Sequence, residues 1–481
     1  KTIISDFEQQ VEKTPNRVAV IFDDNKITYD DLNKRANSLA NYMVNEYGIS
    51  SGDIIPLLLE RNEKIIVAIL AVLKAGACYT ALSKQYPESR IDYIKQQTEA
   101  KLVIDDKFIS QNFEQHDSNL NRSIDTNDLA YIVYTSGTTG NPKGVLHTHK
   151  GVVSHIHSYC KYLQLDTNDS YNMLLLVNYV FSIATTQIFG ALFNGHTLVI
   201  SAQDCLENIQ KLSDYINEKE INYFQCTPSL ADSLDYKKLK HVHTVAVAGE
   251  KIPKSLFYNT YENDIKLVNV YGQSEFHAGT AKMIEKVEDI KKIGAALDNM
   301  TAYVVDENLN EVAIGQVGEI CVTGDQLSKG YLKLKGETKL HFVPNPFGEG
   351  ILCRTGDIVK RLDNDEFEFV GRNDFQLNIN GIRTEPGEIE AQIEEVPEIE
   401  KSVVVGYDDK FIVAYYVSHK ELEEEYIRSI ANNYLVEYMQ PQIYVWLEQL
   451  PLNMNGKLDR AKLPKIEIAM AQYQSPKIGR A

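Results

Sequence analysis

Apolar residues recur at helical spacing early in the chain. Between Tyr29 and Tyr47 they fall at Leu32, Ala36, Leu39 and Met43, which predicts an amphipathic helix. A short strand is expected at Asp53–Leu58, then a second helix at Lys64–Ala75 that Gly76 closes. Further strands are expected at Lys101–Ile104 and Leu129–Tyr134, the latter apolar enough to be buried on both faces. Strands alternating with helices in this way predict parallel sheets covered by helices.

Past about Val270 the texture changes. The short segments Thr301–Val305, Gly318–Val322 and Glu366–Val370 are punctuated by Gly and Asp, a mainly β pattern. Beyond Arg372 a helix is expected at Glu385–Glu395, strands at Lys401–Gly406 and Phe411–Val417, a helix at Lys420–Tyr434, and a polar tail from Lys465. A single hydrophobic core stops growing at roughly 250–300 residues, so a chain of 481 residues needs more than one folding unit. The expected class is α/β. A large domain over residues 1–371 combines helix-covered, mainly parallel sheets with a β-rich subdomain. A small α+β domain occupies 372–464, and 465–481 form a tail or linker.

Composition narrows the function. Hydrophobic residues make up 43% and charged residues 24%, as in ordinary soluble proteins. No apolar run reaches the ~18 residues of a membrane span, and the polar stretch Lys1–Val11 is unlike a signal peptide. No membrane association is expected, and without a starting Met the chain reads as a piece of something larger. A net charge of −18 with no basic stripe argues against nucleic-acid binding. Cys78, Cys160, Cys205, Cys226, Cys321 and Cys353 show no C-x-x-C spacing, which argues against a zinc site and for a reducing, cytoplasmic location.

The most informative segment is Tyr134-Thr-Ser-Gly-Thr-Thr-Gly-Asn-Pro-Lys-Gly144, placed directly after the apolar strand. Gly137 and Gly140 allow a tight turn that brings backbone N–H groups close to an anion. Thr135, Ser136, Thr138 and Thr139 offer hydroxyls to phosphate oxygens, and Lys143 supplies a positive charge. One reading is a flexible polar surface loop. A second, the P-loop, fails on spacing, because only two residues separate Gly137 from Gly140 and Lys143 is followed by Gly144. In the third, the string resembles the signature of the adenylate-forming superfamily, and more closely the adenylation domains of nonribosomal peptide synthetases.

The resemblance extends over nearly the whole chain. Ile27-Thr-Tyr-Asp-Asp-Leu32, Leu73-Lys-Ala-Gly-Ala-Cys-Tyr79 and Tyr86-Pro-Glu-Ser-Arg-Ile91 are similar to further signature segments. Asn269-Val-Tyr-Gly-Gln-Ser-Glu275 resembles the motif that holds adenine and metal. It implies that Tyr271 stacks on the base, Asn269 bonds its amino group, Ser274 contacts phosphate and Glu275 coordinates Mg²⁺. The family usually has Pro-Thr where this chain has Gln273-Ser274. Arg354-Thr-Gly-Asp357 resembles the ribose-binding motif, with Asp357 accepting from the ribose hydroxyls. Arg372 would contact the nucleotide, Asp374 would be the hinge of a mobile C-terminal domain, and Lys457 would be the catalytic lysine. After Asp374 the chain follows the family at Gly381, Arg383, Gly387, Glu388 and Glu390, but departs at Asn378 and Asn380, where a basic residue is common.

The implied chemistry is ATP-dependent activation of a carboxylic acid to an acyl-adenylate with release of pyrophosphate. The acyl group then passes to the pantetheine thiol of a carrier protein within a multidomain synthetase. The implied acid pocket comprises Ser182, Ile183, Thr186, Gln225, Ala246, Ala248, Val270, Ala278 and Gly279. Where relatives that activate amino acids carry an Asp for the α-ammonium, this chain has Ser182. That favours an acid without a standard α-amino group, and Thr186, Ala248 and Gly279, small where the resemblance places the pocket, imply volume for a bulky apolar or aromatic body. The alternatives are an ordinary hydrophobic amino acid, a coenzyme A ligase, and a nucleotide-binding module without turnover.

Overall fold

In the computed structural model of the chain, the first helix expected from the apolar repeat runs from Tyr29 to Tyr47. The Thr28 hydroxyl accepts from the Asp31 amide at its start. Gly48, at φ 62°, ends it in the left-handed conformation that only glycine adopts without a Cβ penalty. The structure describes residues 1–137, 140–202, 205, 208–372, 376–451, 458 and 460–466. The chain divides into two compact units. The larger comprises Lys1–Lys84, Tyr93–Thr135 and Lys143–Asp374, and the smaller Gln85–Asp92, Ser136–Pro142 and Phe375–Ala481. The smaller unit thus draws in two segments that lie far earlier in the chain than residue 372.

The larger unit is built on two sheets. In the five-stranded sheet Ile54–Leu58, Cys78–Ala81, Ile104–Asp105 and Leu129–Thr135 are parallel, and Lys143–Thr148 returns antiparallel to Leu129–Thr135. The strand expected at Lys101–Ile104 is reduced to Ile104–Asp105, since only Leu57 and Leu58 pair with it at the sheet edge. The helix Lys64–Lys74 is buried from Ile65 onward, as an almost wholly apolar helix must be, and its buried Lys74 is paired with Glu8.

The fourteen-stranded sheet explains the change of texture after Val270. It is parallel through Thr197–Ile200, Asn172–Leu175, Tyr223–Cys226, Thr244–Val247 and Lys266–Gln273. From there it is antiparallel through His277–Met283, Lys292–Ala296, Phe367–Arg372, Ile351–Arg361, Val317–Gly324 and Met300–Val305. The motif Asn269–Glu275 therefore sits where a parallel sheet turns into a meander.

In the smaller unit, Ile399–Tyr407 and Phe411–Ser418 form an antiparallel pair and Ile443–Leu447 runs parallel to the second. The helix Pro386–Ile393 packs on the strand Ile399–Tyr407 and on the helix Glu424–Ala431. The second helix is shorter than the expected Lys420–Tyr434. The Tyr416 hydroxyl accepts from the Leu422 amide and donates to the Leu422 carbonyl, so side-chain bonds hold that stretch as a turn. Among the described residues no helix is long and apolar enough to cross a membrane.

Candidate active site

The strand pair Lys266–Gln273 and His277–Met283 needs glycine at position 272, because a Cβ on Gly272 would lie 1.6 Å from the His277 carbonyl oxygen. His277 itself has φ 60°, a strained value for a residue with a side chain. On the incoming strand Asn269 donates its side-chain amide to the Lys292 carbonyl at 2.8 Å, leaving its carbonyl oxygen as the acceptor suited to an amino group.

Tyr271 donates its hydroxyl to Asp357 Oδ2 at 2.6 Å, and Arg372 donates to Asp357 Oδ1 at 2.6 Å. The register sets the second contact, since Asp357 and Arg372 are direct partners on adjacent strands. Burial, followed by the Asp357 charge, pushes the Tyr271 phenol well above its ordinary range, so it stays a donor. Tyr271, Asp357 and Arg372, which the sequence motifs name separately, thus form one hydrogen-bonded group.

Glu275 is buried. Its Oε1 accepts from the Tyr331 hydroxyl at 2.7 Å, and its carbonyl accepts from the Ser328 amide. The Ser274 carbonyl is 2.7 Å from the His147 ring nitrogen, and burial pushes that imidazole down to about 4. Among the described residues no three His, Cys, Asp or Glu side chains form a metal cage. One hard-oxygen carboxylate fits Mg²⁺, which commonly takes one or two carboxylates and completes its shell with substrate phosphates and water.

The phosphate-loop residues are divided between the units. In the larger, Thr135 and Lys143 face each other across a strand pair, and Gly144 is required because a Cβ there would come within 2.8 Å of Ile132. The buried Thr135 hydroxyl makes no hydrogen bond among the described residues. Lys143 is buried with its ammonium 4.9 Å from the centre of the Tyr331 ring and 3.7 Å from Glu337. Tyr331 therefore contacts both the loop lysine and Glu275.

In the smaller unit the Ser136 hydroxyl donates to the Arg383 carbonyl and accepts from the Glu385 amide. The Gly137 amide donates to Glu388 Oε2 at 2.9 Å, and Arg90 donates to Glu388 Oε1 at 2.6 Å. A carboxylate oxygen thus sits on the N–H that the sequence reading gives to a phosphate, so that amide is oriented for an anion. Thr138, Thr139, Asp374 and Lys457 lie outside the described residues.

The implied acid-pocket residues converge on neighbouring elements. Ser182, Ile183 and Thr186 lie in the first turns of the helix Ser182–Phe193. Gln225, Ala246 and Val270 lie on three adjacent parallel strands, with Gln225 and Ala246 in register. Ala248 follows the second of these, and Ala278 and Gly279 open the antiparallel strand beside the third. Gln225 accepts from the Tyr159 hydroxyl through its side-chain oxygen, which aims its amide nitrogen. The volume expected at Gly279 is already taken: a Cβ there would come within 2.9 Å of the Phe276 ring.

With Tyr271, Asp357 and Arg372 in one hydrogen-bonded group, comparison with known proteins decides the identity. Residues 7–332 match the AMP-binding enzyme family, and residues 388–457 match the AMP-binding enzyme C-terminal domain. The chain belongs to the AMP-binding enzyme family. It is an ATP-dependent, AMP-forming acid ligase of that family, similar to peptide synthetase adenylation domains. It is 32% identical over 506 residues to gramicidin S synthase 1 of Brevibacillus brevis, covering 99% of this chain and 46% of that protein. It is 33% identical over 503 residues to tyrocidine synthase 2 of Brevibacillus parabrevis, covering 99% of this chain and 14% of that protein. The chain therefore spans less than half the length of these relatives. Its fold is that of an artificially fused adenylation–PCP didomain, NpsA-ThdA from Klebsiella oxytoca. That match has a TM-score of 0.81 at 23% identity, over 92% of this chain and 93% of the other. Holo-PA1221, a protein containing adenylation and PCP domains, matches with TM-score 0.83 at 23% identity, over 96% of this chain and 83% of the other.

Family motifs do not account for a group of three buried histidines beside Thr186, one of the implied acid-pocket residues. The His277 ring lies 4.3 Å from that of His147 and 4.7 Å from that of His155, and His155 bonds the Thr186 hydroxyl at 2.8 Å. Burial pushes His155 down to about 3 and holds His277 well below its ordinary value, so the stack is neutral at ordinary pH. Sequence reasoning missed these residues and Tyr331, and it marked Gln273 only as a departure from the family pattern. The histidines lie at positions 147, 155 and 277, on three different elements, so no local spacing announces them.

Proposed function

We propose that the chain activates a bulky apolar or aromatic carboxylic acid lacking an α-amino group. It then transfers the acyl group to the pantetheine thiol of a carrier protein, as one domain of a multidomain peptide synthetase. Ser182 carries the substrate assignment. It is the first residue of the helix Ser182–Phe193, an end that bears partial positive charge and unsatisfied amides. An α-ammonium placed there needs a carboxylate, and a hydroxyl does not replace one for a desolvated cation. A keto or hydroxyl oxygen instead accepts from such a donor. Thr186 and Ala248 leave room for the body of the acid, and the Gln225 amide can bond one polar substituent.

The reaction is in-line attack of the substrate carboxylate on the α-phosphorus of ATP, with pyrophosphate leaving. Positioning and charge neutralisation carry most of the catalysis. In this reading Asn269 and Tyr271 hold the adenine, Asp357 the ribose, and Arg372 the nucleotide's anionic side. Thr135, Ser136, Gly137, Thr138, Thr139, Lys143 and Ser274 serve the phosphates, and Glu275 holds Mg²⁺. When bound, that ion neutralises charge on the phosphate oxygens. Lys457 bridges carboxylate and nucleotide, and rotation about Asp374 then exchanges it for the thiol-transfer surface.

The test is ATP–pyrophosphate exchange with keto, hydroxy and amino acids of matched side chain, followed by acyl transfer to a phosphopantetheinylated carrier or to coenzyme A. The proposal expects the acid without an amino group to be preferred and the carrier to be the acceptor. Preference for the amino acid in every pair overturns the substrate assignment, and transfer to coenzyme A alone overturns the carrier.

A further inference from the structure

We infer that Gln273 is a positioning residue for the nucleotide's ribose, acting through Asp357. The inference rests on the assignment of Asp357 to the ribose hydroxyls. The family pattern places proline at this position, and proline has no side-chain donor. Here the Gln273 side-chain amide makes two bonds, to Asp357 Oδ2 at 2.7 Å and to the Thr355 carbonyl at 2.9 Å.

The backbone that carries this amide is itself tied down. Gln273 pairs with His277 across the turn, and its carbonyl accepts from the Phe276 amide at 3.1 Å. On the other side, the Thr355 hydroxyl donates to the Ile320 carbonyl at 2.6 Å and accepts from the Asp357 amide at 3.0 Å. Gln273 therefore bridges the end of the adenine strand to both the backbone and the carboxylate of the ribose strand. Tyr271 donates to the same carboxylate oxygen and Arg372 to the other.

A carboxylate that accepts from two vicinal hydroxyls must present its plane in one orientation, and the soft torsion of an aspartate side chain does not by itself supply that. Bonds to an ionised acceptor are the strong class of hydrogen bond, and the shared tether to Thr355 converts one of them into an orientation.

Gln273→Met removes both donors at nearly constant volume. Its KM for ATP should rise about tenfold, which corresponds to about 1.4 kcal/mol, while the KM for the acid stays unchanged. The decisive readout is ribose discrimination. The preference for ATP over 2′-deoxy-ATP and 3′-deoxy-ATP should fall severalfold in the variant, both in pyrophosphate exchange and in equilibrium nucleotide binding. Gln273→Glu supplies a second signature. Ionised, it repels Asp357; protonated, it donates to it, so ATP affinity should recover as the pH is lowered. A residue that only ties two strands together would show neither effect. Unchanged discrimination in Gln273→Met overturns the inference. If that variant fails to fold, absence of acid rescue in Gln273→Glu overturns it. A wild-type chain that does not discriminate against the deoxynucleotides refutes the Asp357 assignment, and the inference falls with it.

Discussion

Lowering the pH should destabilise the larger unit through its histidine stack. His155 is fully buried, and desolvation brings its imidazole down to about 3, with a contact to Gln326 acting weakly the other way. Its folded value lies below the unfolded value of about 6.5. The unfolded chain therefore binds a proton that the folded chain refuses, and stability falls as the pH drops through about 6.5. Between pH 7 and pH 5 the linkage relation assigns about 2 kcal/mol of lost stability to this one group. Because the net charge of −18 also changes over that interval, the wild-type curve alone does not isolate it. His155→Gln removes the titration and keeps a side chain able to bond Thr186. Urea unfolding of the full chain, followed at the transition of the larger unit, gives the stability of both proteins at each pH. The loss between pH 7 and pH 5 should be smaller in the variant by about 2 kcal/mol. Equal losses, within about 0.5 kcal/mol, would refute the argument that burial keeps this imidazole neutral.

Tyr331→Phe keeps the ring beneath Lys143 but removes the hydroxyl bonded to Glu275. It should raise the Mg²⁺ concentration needed for exchange about tenfold and weaken Mn²⁺·ATP binding measured by electron paramagnetic resonance; an unchanged metal requirement counts against Glu275 as the metal carboxylate. Lys457→Ala should abolish adenylate formation while leaving ATP binding largely intact, because the ammonium acts on the transition state; exchange within a few-fold of wild type would remove it from the mechanism. Ser182→Asp should depress activity with the native acid by burying an unpaired carboxylate and should raise activity with the matching α-amino acid; the opposite pattern in paired assays would refute the pocket assignment.

Much of the candidate nucleotide site was legible in the sequence because its motifs are short, contiguous and glycine-punctuated. Asn269–Glu275 and Arg354–Asp357 could be named from their resemblance to the family's motifs, and the structure brings Tyr271, Asp357 and Arg372 into one hydrogen-bonded group. The residues that complete the group were not legible. Gln273 registered as a departure from a pattern, yet its partner, Asp357, lies 84 positions away on another strand. Tyr331 sits 56 positions from Glu275, and no local period connects them. In the fold, the helix at Tyr29–Tyr47 was legible from its periodicity and its Gly48 stop. The helix expected from Lys420 was overcalled because the Tyr416 hydroxyl, on the preceding strand, holds Leu422 in a turn. Gly279 misled for a similar reason: a missing side chain reads as empty space until Phe276 is seen filling it.

The central claim is that the acid's own carboxylate oxygen attacks the α-phosphorus of ATP. It is tested most directly by supplying the best acid from the exchange panel labelled with ¹⁸O in its carboxyl group and analysing the nucleotide released after acyl transfer to a thiol. The account predicts AMP carrying one ¹⁸O atom on its phosphate, because the bridging oxygen stays with phosphorus when the acyl–oxygen bond breaks. Unlabelled AMP, or label in inorganic phosphate with ADP as the nucleotide product, would contradict it.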